Sequence, residues 1–430
     1  MSTQDGEVST AVSTRPLPPT ALVRGSRALR SAIDQLSGPR AGVQPIVAGT
    51  ISRVLVLWGA ARALNIALLW AYYELSVAGK WGFGPDQLPA TTFLRFLSDW
   101  DGARYGRISQ IGYPETLPID SFGIVQPNDW AFLPVYPALE RGLSEITGMP
   151  WQLAGVIISV LASAGATLML FLLLRRLTTP DAAWWGVVLF SVGPLSFIFV
   201  LAYAESLFLL LLFASLLLAV DRRYLWIAPL GAIAAFTRPG VLALALALGI
   251  LFVVRWIRRA DDAFTLREQV GLVVSGLVTA VAGLTWPVIA EHVTGVTDAY
   301  LRTETSWWVP FIGTGGFVPF TQWFRLAGTH LGVVGVIIVL VIVTAFVAWL
   351  CSAAVRRMGV VVVAFAASYG AYLFAVFLPQ QSLFRLVLPL APLLADERLS
   401  SSPRRRQWSL WVAIGLQVVA ILLLWTIGWP

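Results

Sequence analysis

Residues 151 to 174 read WQLAGVIISVLASAGATLMLFLLL, an unbroken apolar run closed by the pair Arg175-Arg176. A helix rises about 1.5 Å per residue, so about 20 apolar residues cross the hydrocarbon layer of a bilayer. This run is long enough to cross, and its arginines sit where a headgroup region would receive them. Working outward, runs of the same kind recur from about 45 to 73, 182 to 200, 204 to 220, 224 to 237, 240 to 256, 269 to 290, 331 to 352, 358 to 378, 386 to 395 and 408 to 428, about eleven in all. The fold class that follows is an all-α polytopic membrane protein.

Composition agrees. Hydrophobic residues make up 57% of the 430-residue chain, charged residues only 12%, and the mean hydropathy is +0.76, which excludes an ordinary soluble domain. The net charge of +7 does not point to nucleic acid, because the arginines fall in small clusters between apolar runs. Arg175-Arg176, Arg222-Arg223, Arg255 with Arg258-Arg259, Arg356-Arg357 and Arg404-Arg405-Arg406 fall at alternate connections, on the same side as the N-terminal tail. That tail, residues 1 to 45, is rich in Ser, Thr, Pro, Gly and Arg, shows no signal-peptide pattern, and reads as disordered and cytoplasmic. Residues 46 to 430 read as a single transmembrane domain. The lone Cys351 permits no intramolecular disulfide.

By this topology the segments 74 to 150 and 291 to 330 are extracytoplasmic, and both are longer than a connection requires. The first carries Asp99-Trp100-Asp101-Gly102-Ala103-Arg104-Tyr105, then Ile111-Gly112-Tyr113-Pro114 and Ala131-Phe132-Leu133-Pro134-Val135-Tyr136-Pro137. Ser98 or Asp99 is expected to cap a short amphipathic helix, with Trp100, Ile108 and Ile111 turned to the bilayer surface. Helical spacing puts Asp101, Arg104 and Tyr105 on one face. Asp99 has a bland reading as a cap, and Asp101 as a partner of Arg104, Arg107 or the helix dipole.

Ionisable groups inside or beside apolar runs form a second set: Tyr203 and Glu205, Arg238 in Thr237-Arg238-Pro239-Gly240, and Arg385. Such groups are costly at membrane depth and face a partner or a cavity. The alternatives are a structural ion pair of Glu205 with an arginine, or a phosphate site at Arg238, whose guanidinium fork suits phosphate oxygens beside a helix start at Gly240. Arg62, midway along the first run, either snorkels or pairs internally. The runs interrupted near Pro194 and Pro239 point to an internal site. Trp307, Trp308, Phe311, Phe317, Phe320 and Trp323 read first as an interfacial belt, with sugar or prenyl contact as the minority reading. His292 and His330 stand far apart and no Cys/His/carboxylate cluster has metal spacing; Asp99-x-Asp101 is a weak cation signal.

Trp100-Asp101-Gly102 with Tyr105, Ile111-Gly112-Tyr113-Pro114, Ala131-Phe132-Leu133-Pro134 with Tyr136-Pro137, Pro194-Leu195-Ser196-Phe197, Tyr203-Ala204-Glu205-Ser206-Leu207-Phe208 and Thr237-Arg238-Pro239-Gly240 together resemble the PIG-V mannosyltransferase family of GT-C integral membrane glycosyltransferases. The likeness runs in order over residues 50 to 395. It is looser at Ser382-Leu383-Phe384-Arg385-Leu386, and Leu133 stands where a second Phe is common. Near-exclusive use of Arg, with Lys80 the one lysine, suits a bacterial member.

The resemblance implies a GT-C-like bundle whose first extracytoplasmic loop carries a catalytic acid. It implies an inverting mannosyltransferase at the cell membrane that moves a sugar from a polyprenyl-phosphate donor, a co-substrate rather than a cofactor, to a hydroxyl of a glycolipid, lipoglycan or protein. Asp101 then serves as general base. Asp99, Arg104, Tyr105, Tyr136, Tyr203, Glu205, Arg238 and Arg385 bind substrate, and no metal is required. The competing class is a transporter or flippase of a lipid-linked or polar substrate, which would leave the Asp101 loop without a role.

Overall fold

The computed structural model describes residues 49–84 and 87–428. The expected cytoplasmic tail lies outside them. Among the described residues 74% are helical, and pairing between extended segments is limited to the isolated bridges Phe83 with Leu88 and Ile119 with Val125.

The chain opens with α1 (Thr50–Ala78), and the first long loop holds α2 (Phe93–Leu97), α3 (Asp101–Ile111) and α4 (Val135–Thr147). The helical bundle continues with α5 (Trp151–Leu177), α6 (Pro180–Val192), α7 (Glu205–Val220), α8 (Ile227–Ala235), α9 (Leu242–Ile257) and α10 (Leu266–Thr294). The second long loop holds α11 (Ala299–Ser306) and α12 (Val309–Ile312), after which come α13 (Gln322–Leu350), α14 (Ala353–Arg356), α15 (Val360–Val376), α16 (Leu383–Leu386), α17 (Glu397–Ser400) and α18 (Pro403–Ile421).

Five helices are long and apolar enough to cross a membrane: Thr50–Ala78, Trp151–Leu177, Leu266–Thr294, Gln322–Leu350 and Pro403–Thr426. Of the other expected spans, α7, α8, α9 and α15 are apolar helices too short to meet that length. Two more are not single helices. The segment 182–200 stops at Val192, passes Gly193-Pro194 and resumes as a 3-10 turn over Ser196–Val200; 388–395 is a 3-10 segment interrupted by Pro392. Proline removes the amide hydrogen that a continuing helix needs, so both interruptions follow from composition. The break expected near Pro239 is also present, between Ala235 and Leu242, so the helix that Gly240 was expected to open starts two residues later.

Caps explain several helix starts. Thr179 accepts from Ala182 N ahead of Pro180, and Thr265 and Glu268 form a reciprocal capping box at α10. On α5 the residues Ala154, Gly155, Ser159, Ala162, Ser163, Ala166 and Leu170 form one buried face, which lets α7 approach closely. Small side chains suit helix association in lipid, where burial of apolar surface supplies little net force.

Charged residues gather at two ends of this bundle. At the C-terminal end of α5, Arg176 pairs with Asp221 at 2.9 Å; Arg222 pairs with Asp262 at 2.7 Å, Arg255 with Glu268 at 3.2 Å and Arg406 with Asp181 at 2.8 Å. The opposite end, where α5 and α7 begin, carries the two long loops and a separate ionic group.

Candidate active site

The ionic group starts from a strained turn. Asp99 Oδ1 accepts from Trp100 N at 2.8 Å, Trp100 takes φ 54, and α3 then begins at Asp101. A positive φ at tryptophan is a rare conformation, sustained here by the packing of its ring among Phe83 and its neighbours. The Tyr203 hydroxyl accepts from Asp101 N at 3.1 Å, so one orphan donor of the helix start is satisfied from 102 residues away. Gly102 and Gly106 let α3 lie flat on the bundle. A Cβ at Gly102 would lie 3.2 Å from Ala202 O, and one at Gly106 would lie 2.4 Å from the Trp151 ring.

These contacts deliver the Asp101 carboxylate to Arg385 on α16, with which it forms an ion pair. Arg385 Nη1 also reaches Glu205 Oε1 at 3.3 Å, and the same oxygen takes Arg238 Nη1. The order Asp101, Arg385, Glu205, Arg238 therefore alternates in sign. Glu205, at the first turn of α7, is 3% exposed, whereas Asp101 is 23% exposed and is the member open to a ligand. Glu205 Oε2 and Arg385 Nε are buried and unpartnered. The Arg385 guanidinium lies 5.6 Å above the Tyr203 ring.

Neighbouring loops hold the arginines in place. Val135 N donates to Phe236 O at 2.9 Å, tying the start of α4 to the turn that carries Arg238. Gly240 has φ 113, and a Cβ there would press on Tyr369 at 3.1 Å. The Tyr369 hydroxyl donates to Leu386 O at 2.8 Å and anchors α16 beside Arg385. Tyr105, one helical turn on from Asp101, is buried edge-on to Tyr136 at 4.9 Å and to Phe132 at 5.3 Å.

Three expectations are corrected. Neither Ser98 nor Asp99 caps α3 through its side chain: Ser98 closes α2, where its hydroxyl donates to Leu94 O at 2.8 Å, and Asp99 serves the Trp100 amide. Asp101 does not pair with Arg104 or Arg107. Both arginines turn to Asp129 at 3.2 Å, because the 3-10 turn Asp129–Ala131 brings a buried carboxylate against their side of the helix. Ile108 is buried against Tyr105, Phe132 and Tyr136 rather than at the surface, while Ile111 is exposed.

The expected substrate residues thus divide. Asp101, Tyr203, Glu205, Arg238 and Arg385 converge. Arg104 lies outward, stacked 5.7 Å from Trp307, and Tyr136 bonds Gly155 O and Ser159 Oγ, each at 2.8 Å, fastening α4 to α5. Tyr113, from the Ile111 to Pro114 step, stacks on Trp130 at 4.8 Å and donates to Phe132 O at 2.8 Å, so this part of the loop is a scaffold. Arg62 pairs internally: it donates to Ser191 O at 2.6 Å and lies 4.9 Å over Phe199, away from the ionic group.

Two cavities flank the first loop. One of about 540 Å³ is lined by residues such as Gln110, Arg141, Glu145 and Trp151; another, of about 340 Å³, is lined by Arg104, Arg107, Thr116, Asn128 and Asp129. Neither includes a member of the ionic group. Among the described residues no group of three or more His, Cys, Asp and Glu could hold a metal ion.

The sequence reading missed Glu304 and Tyr300 of α11. Glu304 is half-buried and lies within electrostatic reach of Tyr300, Asp101, Arg238 and Arg385. The signal was available in Tyr300, Glu304 and Trp307, spaced at helical intervals in the second long loop. Compared with models of known protein families and with curated proteins, the chain matches none.

Proposed function

We propose that the protein is an inverting glycosyltransferase of the integral membrane, moving a hexose, mannose by its resemblance to the PIG-V family, from a polyprenyl-phosphate donor to an acceptor hydroxyl. One observation carries the reading: four charged side chains from four separate parts of the chain meet at one end of an apolar bundle, with the acid from the first loop accessible. A lipid-carried substrate needs this combination. Its prenyl chain stays in hydrocarbon while its phosphate and sugar reach a polar rim.

In the reaction, the Asp101 carboxylate takes the proton of the acceptor hydroxyl as that oxygen bonds to the anomeric carbon. The bond from that carbon to the phosphate oxygen breaks, its electron pair leaves on the lipid phosphate, and the configuration inverts. A positioned base of this kind contributes about 10²- to 10⁴-fold. Arg385 and Arg238 neutralise the leaving phosphate. Arg385 is held by Asp101 and Glu205; a donor phosphate competes for the same guanidinium and so frees the Asp101 carboxylate for the acceptor.

We place this rim on the extracytoplasmic face of the cell membrane in a multi-pass chain, with the N-terminus cytoplasmic, because the arginine-rich connections lie at the other end. Acceptors in keeping with that face are glycolipids, lipoglycans and proteins, with membrane lipids as surroundings. The transporter or flippase reading finds its support in the polar group of Arg62, Asn65, Ser196 and Gln417 within the bundle. Those side chains are enclosed, Arg62 being 3% exposed, and form no open path.

The test is transfer of radiolabelled mannose from polyprenyl-phosphate mannose in membranes holding the wild-type chain or Asp101→Asn. Label should enter a lipid or protein product only with the wild type. Equal incorporation by a folded Asp101→Asn protein removes the assignment.

A further inference from the structure

Glu304 belongs to the second long loop, yet its surroundings are those of the first. On α11 the side chains of Ala299, Thr303 and Ser306 are buried, and the Thr303 hydroxyl accepts from Asn128 Nδ2 at 2.9 Å, docking the helix on the turn that precedes Asp129. Tyr300, Glu304 and Trp307 form the adjoining stripe. Trp307 lies edge-on to Phe132, with ring centres 6.5 Å apart, and 5.7 Å from the Arg104 guanidinium. Docked in this way, Trp307 joins the cluster of Tyr105, Phe132 and Tyr136 beside the ionic group.

We infer that Glu304 is a second carboxyl of the site, which together with Tyr300 positions the hydroxyl-bearing acceptor beside Asp101. The inference rests on the glycosyl-transfer reading above and extends it. The groups acting electrostatically on Glu304 are Tyr300 on its own helix, Asp101 on α3, Arg238 before α9, Tyr372 on α15 and Arg385 on α16, while Tyr105 on α3 acts on Tyr300. Of the elements packed against α11, the Asp129 turn spends its carboxylate on Arg104 and Arg107, and the end of α10 carries Glu291 and His292, both exposed.

Burial, reinforced by Asp101, pushes the Glu304 carboxyl up to about 7, against the neighbouring Tyr300 hydroxyl and the two arginines. Below that pH the protonated carboxyl donates a hydrogen bond to a sugar hydroxyl. Above it the proton is lost, and the donation with it.

The experiment measures hexose transfer from polyprenyl-phosphate mannose to the endogenous acceptors of membranes holding wild type, Glu304→Gln or Glu304→Ala, per folded protein, between about pH 6 and 8. The wild type should lose rate as pH rises through about 7. Glu304→Gln, whose amide donates at every pH, should keep its rate within about threefold and lose that limb; Glu304→Ala should fall about 10- to 100-fold with KM for the donor unchanged. Three results would overturn the inference while leaving the transferase reading intact: a wild-type profile flat across this range, a Glu304→Gln profile that keeps the limb, or a Glu304→Ala defect confined to donor KM. No transfer by the wild type removes the underlying reading instead.

Discussion

Replacing Glu205 by Gln removes one charge and almost no volume, and tests whether the four residues form one ionic unit. Glu205 Oε1 sits 3.3 Å from Arg385 Nη1 and closer still to Arg238. At an effective dielectric of about 20, a contact of that length is worth about 5 kcal/mol of gross attraction, much of it offset by desolvation. Arg385 keeps Asp101 in the variant, but Arg238 is left as a buried cation without its carboxylate. Breaking one side of such a pair costs about 3 to 5 kcal/mol, so Glu205→Gln should destabilise by that amount. Arg238→Met alone should be similarly costly, whereas the double variant removes both charges and should return to within about 1 to 2 kcal/mol of the wild type. Equilibrium unfolding in mixed detergent micelles, carried through the full double-mutant cycle, reads the coupling. Strictly additive losses, or a single-variant cost below about 1 kcal/mol, would refute the argument that Glu205 holds the site together.

Other consequences are independent of that cycle. Tyr203→Phe deletes the acceptor for the Asp101 amide; it should cost about 1 kcal/mol and lower transfer several-fold through a misplaced Asp101, visible as a fall in kcat with donor KM retained. Gly106→Val drives a side chain into the Trp151 ring and should cost about 1 to 3 kcal/mol, so a melting temperature equal to wild type would contradict the close approach of α3 to α5. Asp129→Asn releases Arg104, 29% exposed, and Arg107, 57% exposed. Solvent screening limits that loss to about 1 kcal/mol, and the gap from wild type should narrow as salt is raised; a gap that is insensitive to salt argues against an ionic role.

Much of the architecture was legible because membrane crossing imposes a coarse rule. Long apolar runs ended by arginines announced α1, α5, α10, α13 and α18, and prolines marked the breaks near 194 and 239. Finer features depended on competition between partners. Helical spacing placed Arg104 one turn from Asp101, close enough to pair; the packed Asp129 turn offered a buried carboxylate instead, and Arg385 took Asp101. Ser98 and Asp99 had the chemistry of caps, but the positive φ at Trp100 turned the chain so that neither side chain reached the free amides of α3. Ile108 looked like a surface residue until Phe132 and Tyr136 covered it.

Local pattern alone determined the helical, lipid-embedded character of the chain, because hydrophobicity and proline act over a few residues and need no knowledge of neighbours. It also singled out Asp101, Glu205, Arg238 and Arg385 as charges that crossing a membrane does not require. Only the tertiary structure decided who pairs with whom: Asp101 and Arg385 are 284 residues apart, and Glu304, from a third region, lies within electrostatic reach of both. An ion pair is won by whichever opposite charge the packed backbone brings within a few ångströms, and spacing along the chain carries no record of that distance.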